Sequence, residues 1–189
     1  LIELKARFDE ERNINWAKKL EKAGCHVVYG LAGLKTHAKV LLVVRKEEDG
    51  IRRYLHLGTG NYNDATAKVY TDLGFFTCKE SYCSDASNLF NILTGFSKPE
   101  SWKKLSVAPF TMRGDFLYYI NNEIEMVKQG KEGLIIAKMN SLVDREIIEA
   151  LYNASRNGIK IELIIRGMCS LKSGIEGISS NIKVRSIVG

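Results

Sequence analysis

The sequence predicts an α/β fold in which a mixed β-sheet is flanked by helices. Three observations carry that prediction. Short apolar, β-rich runs alternate with stretches of helical periodicity along most of the 189 residues. One pair of runs, Thr36–Arg45 and Ile51–Leu57, is joined by the short polar stretch Lys46-Glu47-Glu48-Asp49-Gly50 and reads as a β-hairpin ending in Asp-Gly. The two halves also share a weak repeat, in which Ile2-Glu3-Leu4 followed by Arg7 matches Ile161-Glu162-Leu163 followed by Arg166. In each half the arginine-ended strand leads to a second strand that closes on glycine, Val27-Val28-Tyr29-Gly30 or Ile187-Val188-Gly189.

In chain order, residues 1–5 read as a short strand. Residues 13–24 place Ile14, Ala17 and Leu20 at helical spacing, with Gly24 as terminator. A second strand covers Cys25–Tyr29, followed by the hairpin. The loop Gly58-Thr59-Gly60-Asn61 leads to a strand around Asp72–Thr77 and an apolar-faced helix over Asp85–Gly95. Ser97-Lys98-Pro99-Glu100-Ser101 marks a break. Beyond it the pattern predicts strands at Leu105–Pro109, Gly133–Met139 and Lys160–Arg166, with helices at Gly114–Gln129 and Val143–Asn157.

Composition bounds the functional classes. The hydrophobic share is 45%, and 28 Lys and Arg against 22 Asp and Glu leave a formal charge of +6. A chain of this size can remove about 70% of its unfolded surface from water, so a core needs neither disulfides nor metal. Cys25, Cys78, Cys83 and Cys169 are scattered without a C-x-x-C pair, which argues against a zinc site and for reduced cysteines. The longest apolar run, Val40-Leu41-Leu42-Val43-Val44, is far short of the roughly 18 residues a membrane span requires. The opening Leu-Ile-Glu-Leu-Lys-Ala-Arg already reads as the end of a strand, so the chain is expected to start inside a fold.

Among the three histidines, His26 begins an apolar strand and reads as a packing or surface residue. His37 stands in Gly33-Leu34-Lys35-Thr36-His37-Ala38-Lys39, and on an extended strand Lys35, His37 and Lys39 share one face. An edge strand can carry lysines simply to resist aggregation. His56, followed by Gly58-Thr59-Gly60-Asn61, shifts the balance toward chemistry, because a Gly-x-Gly loop lets backbone N–H groups approach an anion. With Arg7, Arg45, Arg52, Arg53 and Arg166 these residues predict a basic surface around a nucleophile-capable ring. A reader of single-stranded nucleic acid would interleave aromatic platforms. Around His37 the nearest are Tyr54, Tyr62 and Tyr70.

H-x-K followed by Gly-Thr-Gly-Asn resembles the phospholipase D superfamily motif, which builds half of a two-lobed site. The superfamily's aspartate would fall near Val44, so the diesterase form of the motif is incomplete. A wider set of blocks is similar to bacterial polyphosphate kinases of the histidine-phosphorylating type: Lys-Ala-Arg-Phe-Asp-Glu (5–10), Asn-Ile-Asn-Trp-Ala-Lys (13–18), Gly-Leu-Lys-Thr-His-Ala-Lys (33–39), Arg-Arg-Tyr-Leu-His-Leu-Gly-Thr-Gly-Asn-Tyr-Asn (52–63), Tyr-Thr-Asp (70–72), Lys-Met-Asn-Ser-Leu-Val-Asp (138–144) and Ile-Ile-Arg-Gly-Met-Cys-Ser-Leu (164–171). The resemblance covers essentially the whole chain.

That resemblance implies phospholipase-D-like lobes, the first over residues 1–100 and the truncated start of the second over 101–189. It implies reversible transfer of the ATP γ-phosphate to the end of inorganic polyphosphate through a phosphohistidine, with magnesium. By motif, His37 matches the phosphorylated histidine and His56 a second histidine of the family pattern, while Lys39 is expected to stabilise the transferred group. Arg7 matches the arginine of the magnesium-phosphate site, and Tyr70 and Arg166 match nucleotide-contacting positions. Lys35, Gly58, Gly60 and Asn61 are expected on the phosphate. Lys35 and Lys39 should also disfavour the protonated form of His37. With Val44 in the aspartate's place, Asp72 is expected to orient the ring, unless it only makes a turn bond. The implied partners are ATP, ADP and polyphosphate, with no specific nucleic acid. A homo-oligomeric parent, a cytoplasmic setting and peripheral contact with the inner membrane face complete the expectation. The fragment alone is expected to be inactive. Two rival classes stay open: a phospholipase-D-like phosphodiesterase or nuclease, and a non-enzymatic basic module that binds polyanions.

Overall fold

A computed structural model of the chain describes residues 1–3, 10–31, 33–95 and 101–187. The contact pattern divides the chain into two compact units, Leu1–Leu105 and Ser106–Gly189. Both α/β pairing types expected from the sequence are present, but in separate sheets: the first unit carries an antiparallel sheet and the second a parallel one.

In the first unit, α1 (Glu10–Lys22) precedes a hairpin of β1 (Val40–Glu47) and β2 (Gly50–Gly58). The hairpin is tighter than expected. Glu47 pairs with Gly50, leaving Glu48-Asp49 at the tip, and Gly50 takes φ +128°, a conformation that L side chains rarely adopt. After α2 (Asp64–Ala67), β3 (Gly74–Thr77) pairs with β2, and α3 (Glu80–Leu93) follows. Period-two alternation sorts the sheet into faces. Val40 opposite Leu57 and Leu42 opposite Leu55 pack with Tyr82, Cys83 and Ala86 of α3. The other face carries Leu41, His56 and Phe76 side by side across the three strands. Asp85, wholly buried on α3, accepts the backbone N–H groups of Lys103, Lys104 and Leu105 at 2.6–3.1 Å and so ties residues 103–105 to the helix.

In the second unit, α4 (Met112–Lys128), β4 (Leu134–Met139), α5 (Arg145–Arg156), β5 (Lys160–Ile165) and β6 (Ile182–Arg185) follow in order. The parallel sheet runs β4-β5-β6. Ile161, Leu163 and Ile165 of β5 are buried against Ile120 and Ile124 of α4 and Ile148, Leu151 and Ala154 of α5. Asp144 caps α5 by accepting the Ile147 N–H at 3.1 Å and holds Arg113 by an ion pair at 3.0 Å.

Several expectations change. The strand expected at Leu105–Pro109 is a turn leading into α4, because Val107 and Thr111 bond each other: the Thr111 N–H donates to the Val107 carbonyl at 2.8 Å, and the Val107 N–H to Thr111 Oγ1 at 3.1 Å. Cys25–Tyr29 forms no assigned strand, although Ile2 N–H donates to the Val28 carbonyl at 2.8 Å. Of the first repeat copy, Ile2 and Glu3 lie outside any strand, whereas Ile161–Leu163 lie in the central strand of the second sheet. Leu4, Lys5, Arg7, most of the break at 97–101, and the closing Val188 and Gly189 lie outside the described residues.

Candidate functional site

The stretch ahead of β1 is not the strand face that the sequence suggests. Residues 33–39 carry no regular strand pairing, because the Thr36 N–H is taken at 2.6 Å by the Glu3 carboxylate rather than by a neighbouring strand. Regular pairing resumes where Gly58 N–H donates to the Lys39 carbonyl at 3.0 Å. His37 is therefore held between a carboxylate latch on its N-terminal side and the end of the ladder on the other. Glu3 is itself positioned, since its carbonyl accepts from Asn13 Nδ2 of α1 at 2.9 Å.

Within this stretch Lys39 folds back on the ring. Its ammonium lies 3.0 Å from Nε2 and 3.2 Å from Nδ1 of His37. A neutral imidazole has one acceptor nitrogen, so the ammonium can donate to whichever nitrogen carries the lone pair. A protonated ring would offer only donors to it. Partial burial first, then the charges of Lys39 and Lys35, hold the His37 pKa below its ordinary value. The sequence supplied the two lysines but not the burial. Partial burial also lowers the Lys39 pKa, against an opposing pull from Asp72.

Asp72 is placed differently from the expected orienting role. Its Oδ1 accepts the Thr59 hydroxyl at 2.9 Å, and its charge acts on Lys39. The hydrogen-bonding neighbour of the His37 ring is Lys39. Thr59 Oγ1 also accepts the Leu73 N–H at 2.9 Å, so it pins the start of the third strand to the glycine loop.

The glycines of that loop serve closeness rather than unusual dihedrals. Neither Gly58 nor Gly60 has positive φ. A Cβ at residue 60 would fall 2.2 Å from Asp72 Oδ2, and one at residue 58 would lie 3.4 Å from His56 Cε1 and 3.7 Å from Lys39 Cβ. The expected row of backbone donors is also partly used: Gly58 N–H goes to Lys39 and Thr59 N–H to the Leu73 carbonyl. Asn61 is exposed, and its carbonyl accepts the Asn63 N–H. The structure thus brings His37, Lys39, His56, Gly58, Gly60 and Asp72 to one corner of the first unit, with Lys35 acting on His37 through its charge.

Tyr70, half exposed, follows α2, its N–H donating to the Thr66 carbonyl. Arg166 stands in the second unit just past β5, exposed, with its N–H on the Met139 carbonyl. Arg7 lies outside the described residues. His26 is exposed and outside any strand.

Four positioning groups escaped the sequence reading. Glu3 was noted only as a repeat position, Thr59 only as the spacer between two glycines, Tyr62 only as a nearby aromatic, and Phe76 not at all. Phe76 lies directly opposite His56 through the antiparallel pairing of β3 with β2, a register that no short turn between those strands announces in the sequence.

Among the described residues no three His, Cys, Asp or Glu side chains converge. Among the described residues Asp72 and Glu3 place carboxylates near His37, and the arginine assigned to the metal-phosphate site carries a cation that can grip phosphate but cannot ligate a metal. Among the described residues no helix is long and apolar enough to cross a membrane.

Comparison with known proteins covers both units. Residues 1–99 match the family model for polyphosphate kinase C-terminal domain 1, and residues 105–189 match polyphosphate kinase C-terminal domain 2. The polyphosphate kinase of Halalkalibacterium halodurans is 60% identical over 188 residues, covering 100% of this chain and 27% of the relative. That of Synechocystis sp. is 58% identical over 189 residues, covering 100% of this chain and 26% of the relative. A crystal structure of polyphosphate kinase from Porphyromonas gingivalis superposes with a TM-score of 0.84 at 39% identity, over 99% of this chain and 31% of that one. The chain spans about a quarter of the length of these curated relatives. Across both its units, this chain belongs to the polyphosphate kinase family, in that family's C-terminal region.

Proposed function

We propose that the full-length protein containing this chain transfers the γ-phosphate of ATP reversibly to the end of inorganic polyphosphate, with His37 as the covalent phosphate carrier. The observation that carries the reading is the Lys39 ammonium at 3.0 and 3.2 Å from the two ring nitrogens of a His37 whose pKa is lowered. An ammonium beside the ring keeps a lone pair available at neutral pH and stands ready to exchange that nitrogen for a phosphoryl oxygen. The ring nitrogen's electron pair attacks the γ-phosphorus, forming a P–N bond. The bond from the γ-phosphorus to the bridging oxygen breaks, and its electron pair leaves on the β-phosphate of ADP. In the second half, a terminal oxygen of polyphosphate attacks the phosphorus and the P–N bond breaks. Charge on the equatorial oxygens is met by Lys39 and Lys35, with Gly60 and Asn61 as the remaining backbone donors of the loop.

On this reading the two units are phospholipase-D-like lobes, supported by the H-x-K at 37–39 and the Gly-Thr-Gly-Asn at 58–61. Tyr70 and Arg166 contact the nucleotide, and Arg7 grips phosphate. Magnesium arrives with the nucleotide, whose phosphate oxygens supply much of its coordination. The test is incorporation of acid-labile, base-stable radiophosphate from γ-labelled ATP into the full-length protein. Labelling that disappears in His37→Ala supports the reading. Diester cleavage without labelling would replace it with the phosphodiesterase class.

A further inference from the structure

We propose that Tyr62 is a positioning residue that fixes His56 in the tautomer with its proton on Nε2, so that His56 presents an N–H donor to a phosphoryl oxygen bound beside His37. The inference rests on the phosphoryl-transfer reading above and gives His56 a role within it.

Three constraints meet on the His56 ring. Tyr62 Oη lies 2.8 Å from Nδ1. Phe76, directly opposite on β3, stacks against the ring with centroids 4.3 Å apart and planes tilted by 36°. The third constraint is clearance at the far nitrogen, where a Cβ at residue 74 would sit 2.9 Å from Nε2, closer than real Cβ contacts come. A side chain at position 74 would press on that nitrogen, and glycine leaves it uncrowded from that side. Gly74 pairs with Gly58 across the ladder, and Gly58 in turn separates His56 Cε1 from Lys39 Cβ. Two opposed glycines thus flank the ring edge, and the gap at Gly58 opens toward the lysine that touches His37.

In this proposal Tyr62 donates the bond to His56. Tyr62 is anchored by its neighbour, because Asn63 Oδ1 accepts the N–H groups of Ala65 and Thr66 at 3.0 Å each. The protonated phenol can donate to Nδ1, the direction that goes with a ring proton on Nε2 beside the clearance at Gly74. A donating hydroxyl at Nδ1 requires the lone pair there, which leaves the ring proton on Nε2. A neutral N–H then adds a directed donor to a site whose other contributions are the diffuse charges of Lys35 and Lys39. Such donors matter most when they are aimed before the charge develops.

The test uses the full-length protein labelled with 15N-histidine, with His56→Gln assigning the resonance. Wild type is expected to show the Nε2–H tautomer at His56, and Tyr62→Phe, which keeps the ring and removes the hydroxyl, is expected to give a mixture. The kcat for polyphosphate synthesis should fall about tenfold in Tyr62→Phe with the KM for ATP within about twofold, since positioning rather than binding is lost. Gly74→Ala should keep the tautomer and lower kcat about 100-fold by covering Nε2. A Nδ1–H tautomer in wild type, an unchanged tautomer in Tyr62→Phe, or full kcat in Gly74→Ala overturns the proposal. Should wild type carry no phosphate at His37, the phosphoryl-transfer reading fails separately, and the wild-type tautomer still decides what Tyr62 does. If Tyr62→Phe does not fold, the wild-type tautomer and Gly74→Ala decide the matter.

Discussion

The two units hold themselves together by different means. The second buries twelve residues in one apolar cluster around β5, from Ile120 on α4 to Ile182 on β6. Among the described residues the first unit's cluster holds three, Leu55, Cys83 and Ala86, with four partly buried neighbours, and Ala17, Leu89 and Ile92 are buried outside it. In place of a large core it has polar latches: Asp85 on the N–H groups of residues 103–105, Glu3 on Thr36, Thr59 on Asp72 and Leu73. Hydrophobic burial is non-directional, whereas a hydrogen bond fixes an atom. A unit that must hold two histidines, a lysine and a glycine loop in register has the second need. The candidate chemistry accordingly clusters where the polar latches are.

The largest expected effect breaks this comparison at its functional end. His37→Ala in the full-length protein should abolish phosphate incorporation, a loss of several orders of magnitude, since the covalent route itself disappears. That exceeds the roughly 100- to 1000-fold loss of one anion-stabilising donor. His26→Ala, at an exposed position outside any strand, should label normally. Undiminished labelling in His37→Ala would remove the first unit's claim to the chemistry.

The second effect tests the latches against the core. Asp85→Ala takes the shared acceptor from three N–H groups on exposed or half-buried residues and should destabilise the first unit by roughly 1–3 kcal/mol. Leu163→Ala, a cavity in the apolar cluster, should lower the second unit by about 2–5 kcal/mol. Hydrogen exchange separates the two, because Asp85→Ala should expose the amides of residues 103–105 and Leu163→Ala those of β5. If Asp85→Ala leaves the 103–105 amides protected, the polar latch is not what holds that segment.

The second unit was far more legible in sequence than the first. Alternation of four apolar elements over residues 114–166 predicted α4, β4, α5 and β5 within a few residues, since one large core imposes a strong periodic pattern. In the first unit the hairpin was readable from its Asp-Gly turn. The stretch around His37 was not, because a hydrogen bond between residues 3 and 36 leaves no periodic trace. The same holds for the glycine loop. Gly58 and Gly60 were readable as special, but their reason is what lies against them, His56 with Lys39 and then Asp72. His37, Lys35 and Lys39 were identified by motif and do come together, yet the partner of Asp72 is Thr59, which its position between two glycines disguised.

A smaller effect sharpens the comparison at Glu3. Glu3→Ala should release the Thr36 amide to exchange and slow His37 labelling about ten- to 100-fold, the scale expected when a reacting group is misplaced by about 1 Å. Glu3→Gln keeps an acceptor oxygen and should recover most of the rate. Equal losses in both variants, with Thr36 still protected, would show that Glu3 does not position the histidine through this bond.

The smallest expected effect is a shift on the pH axis. The His37 pKa lies below 6.5 in the folded protein, through partial burial first and then Lys39 and Lys35. Between that depressed value and 6.5 the unfolded chain binds the proton and the folded chain does not. Folding stability from this group is therefore fully present above 6.5 and is lost as the pH falls through the folded pKa. Reactivity follows the same sign, because the neutral ring is the nucleophile, so labelling should persist below pH 6.5 and fail only on the acid side of the depressed pKa. Lys39→Met removes one cation but keeps an unbranched apolar stem. Burial and Lys35 remain, and the pKa should rise part of the way back toward 6.5, carrying the acid limb of labelling with it. Labelling will also be slower throughout, so the position of the limb, not its height, is the readout. Asp72 pulls in the opposite sense through Lys39 rather than on the ring, so Asp72→Asn in the Lys39→Met background should leave the limb where Lys39→Met puts it. A limb that stays in place in Lys39→Met, or moves to lower pH, would mean that the ammonium 3.0 Å from the ring does not hold His37 neutral.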